Sequence, residues 1–122
     1  MAEKVTIRED LQIIQVDSYG DVNAEDLKKS LETVFKIRQE QGLTRVLVDA
    51  TRETSLPSTP RVFEFGSQLA ELLRGMKFAL ATSPETDRDL RFLVTVAINR
   101  GAQVSVFDSV DDALVWLMED PG

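Results

Sequence analysis

Short runs with apolar residues at every second position alternate along this chain with longer runs in which they recur every third or fourth. The first period belongs to strands and the second to helices, so the order of the two restricts the topology. Val5-Thr6-Ile7 and Leu11–Val16 (LQIIQV) read as two strands, with Glu9-Asp10 closing a tight hairpin between them. Asn23 then stands before Ala24-Glu25-Asp26, a side-chain cap followed by acids that suit the positive end of a helix dipole. Leu27, Leu31, Val34 and Phe35 continue at helical spacing, and Gly42 supplies a left-handed stop.

Arg45–Ala50 (RVLVDA) has the β-rich, apolar character of a strand buried on both faces. The stretch Thr51 to Pro60 is dense in Pro, Ser and Thr, and reads as a long loop feeding a helix capped by Ser58 or Thr59 with Pro60 in its first turn. That helix ends at Gly75. A strand over Met76–Ala81, a helix from Ser83-Pro84-Glu85 to about Arg100, a strand over Gln103–Phe107 and a last helix capped by Ser109 complete the chain. The sum is β-β-α-β-α-β-α-β-α over one domain spanning residues 1–122. Helices between successive strands require crossovers, hence an α/β fold with a mainly parallel five-stranded sheet and the first strand antiparallel at an edge. The expected core is Ile14, Val16, Leu27, Leu31, Val46, Val48, Leu69, Leu73, Leu80, Leu93, Val104, Val106, Leu114 and Leu117.

What the chain lacks narrows its chemistry. It has no His and no Cys, which removes Ser-His-Asp and Cys-His nucleophiles, imidazole or thiolate zinc sites and disulfides. Neither a cofactor nor a metal is expected from such a residue set, and the chain reads as non-enzymatic. A formal charge of −7 spread over 122 residues repels polyphosphate, and Lys and Arg form no cluster, so nucleic acid is not an expected partner. No apolar run approaches the ~20 residues that span a bilayer, and the first ten residues lack the basic-then-apolar layout of a secretory signal. A cytoplasmic location without an integral membrane segment is the resulting expectation.

Several landmarks together resemble the STAS domain, the SpoIIAA-like fold of bacterial anti-sigma-factor antagonists and its broader relatives. They are the opening hairpin, Gly20-Asp21-Val22-Asn23-Ala24-Glu25-Asp26 leading into the first helix, and Arg45-Val46-Leu47-Val48-Asp49. Near the end come Arg100-Gly101 and the run Val106 to Leu117, which is similar to a VF-x-x-x-x-x-AL-x-WL ending met in those relatives. The resemblance implies a role in protein–protein signalling or ligand sensing without intrinsic catalysis. It also implies a phosphorylatable serine at the start of the second helix, a place that falls here at Ser58-Thr59. The surroundings depart from that pattern, with Pro57 in place of the preceding acid and Pro60 in place of the small residue that follows. A hydroxyl at Ser58 is equally accounted for as a helix cap.

In an open parallel sheet, ligands bind beyond the carboxyl ends of the strands. Asp17, Tyr19, Asp49, Thr51, Arg52 and Thr82 fall there and form a candidate ligand cleft. Asp49 and Thr82 could be fitted to a response-regulator receiver site. Such a site needs paired acids and a lysine, whereas Asp17 stands alone and Phe107-Asp108 occupies the lysine position. Asp49 also has a structural reading, as a carboxylate accepting N–H groups of the following turn. Phe63 and Phe65 on the second predicted helix, and Phe92 and Val96 on the third, exceed what one buried face requires. Closer enclosure of these helices would explain them, as would an interface. The functional expectation is therefore a regulatory or protein-interaction module of STAS type, with a protein partner or self-association, dimeric through those helices. The alternative is a small apolar-ligand or lipid-binding domain with its pocket beneath the 51–60 loop.

Overall fold

The computed structural model describes residues 3–55, 74–84, 86–99 and 103–119. Five strands, β1 (Glu3–Arg8), β2 (Ile13–Asp21), β3 (Arg45–Ser55), β4 (Lys77–Thr82) and β5 (Gln103–Phe107), form one sheet in the order β1-β2-β3-β4-β5. Only the β1/β2 pair is antiparallel, and the other three pairs are parallel. The helices among the described residues are α1 (Ala24–Gln41), α2 (Asp87–Asn99) and α3 (Val110–Leu117). The expected α/β class, the mainly parallel sheet and the antiparallel edge strand are all present. The helix expected between Pro60 and Gly75, with core candidates Leu69 and Leu73, lies outside the described residues.

Strand register explains how the core divides. Ile14, Val46, Phe78 and Val104 stand side by side across four strands, and Val16, Val48, Leu80 and Val106 form the next such row. Both rows face α1 and α2, whose Leu31, Val34, Leu90 and Val94 pack onto them. One residue along, the alternation of the pleat turns Leu47 and Ala79 to the opposite side, against Ala113 and Leu117 of α3. Right-handed crossovers with strands in sequential order place α1 and α2 on a common side, which leaves the other side to the C-terminal helix.

Local signals act as expected at both ends of α1. Asn23 accepts from the Asp26 N–H at 2.8 Å while Asp26 reaches back to the Asn23 N–H, a reciprocal capping box. Gly42 closes the helix at φ 72° and donates to the Arg38 carbonyl.

Three boundaries differ from expectation, each for a local reason. The hairpin is wider than Glu9-Asp10, because Arg8 pairs with Ile13 and the chain reverses through residues 9–12 with Gln12 at φ 56°. Leu11 therefore lies in the turn. β3 runs five residues past Ala50, into the stretch expected to be loop, because Tyr19, Gly20 and Asp21 pair with Arg52, Glu53 and Ser55. Helix α2 begins at Asp87, later than Ser83-Pro84, because the Thr86 N–H closes a turn onto the Ser83 carbonyl first.

Candidate functional site

Asp17 and Asp49 are direct neighbours in the β2/β3 register, in a row that continues through Ala81 to Phe107. This row lies on the α3 side of the sheet, where Ala81 and Phe107 belong to the α3 layer. Two carboxylates on adjacent strands repel unless each is held by donors. Asp17 accepts from the Gln15 side-chain amide at 2.9 Å. Asp49 accepts from the Thr51 N–H at 3.1 Å and from its hydroxyl at 2.6 Å. The second pair of bonds is the local carboxylate-to-backbone arrangement that sequence suggested for Asp49, although it sits within β3 and not at its end. Thr51 is thereby committed to Asp49. Tyr19 pairs in register with Arg52 just past the irregularity that follows Asp17, and both are exposed.

Thr82 does not join them. It pairs with Ala50, one residue out of phase with Asp49, so the pleat carries its side chain to the α1/α2 side. The expected cleft of six residues is in fact two constellations separated by the sheet. On its own side Thr82 donates to Asp87 at 2.9 Å, and Arg91 holds the same carboxylate at 2.9 and 3.0 Å. A second arm of Arg91 reaches Asp108 at 3.5 Å, so the residue after β5 is tied to α2. The Arg91 bonds, followed by the Thr82 hydroxyl, hold the Asp87 carboxyl below its ordinary value. Beneath this network Ser83 and Thr86 are fully enclosed, their hydroxyls 2.9 Å apart. The four-residue Asp87–Arg91 spacing was available in the sequence as an intrahelical pair. Its link to Thr82 and Asp108 was not, because it depends on which strands are neighbours.

Among the described residues no group of three or more acids gathers as metal ligands would. Both constellations are made of acceptors already engaged by donors. Such groups fix loops and offer remaining lone pairs to a partner's N–H groups.

The apolar candidates also separate. Phe92 is 40% exposed, while Val96, one turn further along α2, is buried, so the expected outer stripe of Phe92 and Val96 is not formed. Ile98, which its spacing with Leu90 and Val94 places on the core-facing side of that helix, is instead 49% exposed. With 100° per residue, Ile98, Arg91, Thr95, Arg88, Asn99 and Phe92 share one outward arc of about 120°. The two apolar side chains mark its borders. Ser58, Thr59, Phe63 and Phe65 lie outside the described residues, as does the second half of the 51–60 loop beneath which an apolar-ligand pocket was expected. A cavity of about 50 Å³ is found elsewhere, between β1 and α1, lined by Glu3, Val5, Asp26, Lys29, Ser30 and Thr33.

No family model matches the chain, and no curated protein does either. Among solved structures it is similar to an uncharacterised DUF3478-family protein with a SpoIIAA-like fold from Shewanella loihica PV-4. The two share 18% identity at a TM-score of 0.56, covering 95% of this chain and 92% of the other. At that identity the likeness speaks to the fold, which is SpoIIAA-like. No helix among the described residues is long and apolar enough to cross a membrane.

Proposed function

We propose that this chain is a non-catalytic regulatory module of STAS type that works by binding another protein through the outward face of α2. The exposure of Phe92 carries this reading. A surface helix needs one apolar side, and α2 already buries Leu90 and Val94 against the sheet. Phe92 and Ile98 are large apolar side chains left in water beyond that requirement. Between them Arg88 places positive charge on a chain whose overall charge is −7, next to Arg91, whose own charge is already met by Asp87 and Asp108. An aromatic anchor beside arginines is the composition enriched where interfaces derive most of their affinity. The matching partner surface offers an apolar socket rimmed by carboxylates. Two copies of this acidic chain would repel through the rest of their surfaces, which favours a different protein over self-association.

Partner capture with the wild-type chain and the F92E variant tests the proposal, followed by titration of the captured protein against both. F92E weakens binding at least tenfold while its unfolding midpoint stays within that of a surface substitution. Equal affinity of both chains for the same captured protein would remove the α2 face from consideration. Sedimentation of each chain alone reports whether the same substitution changes its mass.

A further inference from the structure

Glu3 is the first residue of β1, the edge strand, and its side chain is turned inward at 6% exposure. The register explains the direction, since Glu3 pairs with Ser18 in phase with the core pairs Val5–Val16 and Ile7–Ile14. Ser18, itself fully buried, donates from its hydroxyl to Glu3 Oε2. Oε1 makes no hydrogen bond of ordinary geometry. Across the 50 Å³ cavity, α1 presents Asp26, Lys29, Ser30 and Thr33. Lys4, the neighbour on the same strand, pairs with Asp17 on the opposite side of the sheet. The groups acting on Glu3 are therefore the Ser18 hydroxyl from β2, the Ser30 hydroxyl from α1 and the repelling carboxylate of Asp26, with Lys29 and Thr33 also lining the cavity.

A buried carboxylate with one oxygen unsatisfied is costly, and a neutral carboxyl in the same place is not. Burial raises the Glu3 carboxyl above its ordinary value of 4.5, the Ser18 and Ser30 hydroxyls partly offset this, and Asp26 adds to it. The proton is thus held more tightly with β1 in place than with β1 lifted away.

We propose that β1 is a pH-gated latch: with Glu3 neutral the strand is closed on β2 and α1, and with Glu3 ionised its leading end opens and bares the edge of β2. The strand is suited to this part. Among the described residues it pairs on one side only, and it lies at the end of the sheet, where release disturbs no other pair of the five strands. Opened, β2 presents a row of unpaired backbone groups, the surface to which an extended segment adds as a strand.

The folded carboxyl is raised, so the closing contribution is complete below 4.5 and is lost as pH rises through the folded value. Amide exchange of β1 and β2 in the full chain, corrected for intrinsic exchange, reads the latch, together with NMR titration of the Glu3 carboxyl carbon. Opening of β1 increases about tenfold for each unit by which that carboxyl titrates above its unfolded value. In E3Q the protection of β1 is independent of pH across the same window. S18A, which removes a donor to the ionised form, moves the opening to higher pH, whereas loss of a merely structural contact would open the strand at every pH. Titration of Glu3 at its ordinary value would overturn the proposal even where E3Q fails to fold. The same pH dependence in wild type and E3Q would also overturn it.

Discussion

The Thr82 hydroxyl donates to the Asp87 carboxylate at 2.9 Å, joining the end of β4 to the first turn of α2. Arg91, one turn along, grips the same carboxylate with two bonds and extends toward Asp108 beyond β5. Asp87 thus anchors Thr82 and Arg91 together, and Arg91 carries the link on to the connection after β5. Its position in the first turn of α2 adds the favourable field of the helix dipole.

Asp87 is held below its ordinary value of 3.8 by the Arg91 bonds first and the Thr82 bond second. A depressed carboxyl contributes stability that is present above 3.8 and is lost as pH falls through the folded value. Asp87→Asn keeps the shape and removes the charge. The variant should unfold at lower temperature than wild type at pH 6, and the gap should narrow as pH falls below 3.8 and through the folded value. Thermal unfolding followed by circular dichroism between pH 2.5 and 7 reads both limits. A constant gap across that range would show that Asp87 acts by geometry alone.

Leu47 sits on the central strand, fully buried between β3 and α3 with Ala79, Ala113 and Leu117 around it. Leu47→Ala should cost about 3 kcal/mol, the sum of lost transfer energy and a cavity that its small neighbours cannot collapse to fill. Val115, on the same helix layer but 65% exposed, provides the contrast, and Val115→Ala should change stability by less than about 0.5 kcal/mol. Urea unfolding measures both. Similar costs at the two positions would contradict the packing of α3 on this side of the sheet.

The core rows were legible because apolar alternation and burial coincide in β-rich segments such as Arg45–Ala50. Ile14, Val16, Val46 and Leu80 were all expected inside and are. The far ends of β2 and β3 were hidden for the converse reason. Ser18-Tyr19-Gly20-Asp21 and Thr51–Ser55 carry no apolar alternation, and their pairing is a matter of backbone hydrogen bonds that side-chain hydropathy does not report. The candidate cleft failed on parity: six residues near strand ends were grouped by position, and only register shows that Thr82 faces away from Asp49. Glu3 was invisible because its neighbours Val5 and Ile7 mark the inward positions only once β1 is known to begin two residues before Val5. Nothing in Met1–Lys4 announces a buried acid.

Lys77, at the start of β4, aims its ammonium at the end of α3, 2.6 Å from the Trp116 carbonyl and 3.1 Å from that of Glu119. The same ammonium lies 4.3 Å from the centre of the Trp116 ring, which in turn packs on Phe107 at 5.8 Å. Three favourable terms meet here: a charge at the negative end of a helix, hydrogen bonds to the carbonyls of Trp116 in its last turn and Glu119 just beyond it, and a cation over an aromatic face. Lys77→Met keeps the apolar stem and deletes all three, and should cost about 1–2 kcal/mol in urea unfolding. Trp116 is the only tryptophan, so its fluorescence reports the change directly, with altered emission in the folded variant. A double-mutant cycle with Trp116→Leu divides the contributions, since leucine removes the ring and leaves the backbone carbonyl in place. A coupling of about 0.5–1 kcal/mol assigns a share to the ring, whereas coupling near zero would mean that Lys77 holds α3 through the carbonyls alone.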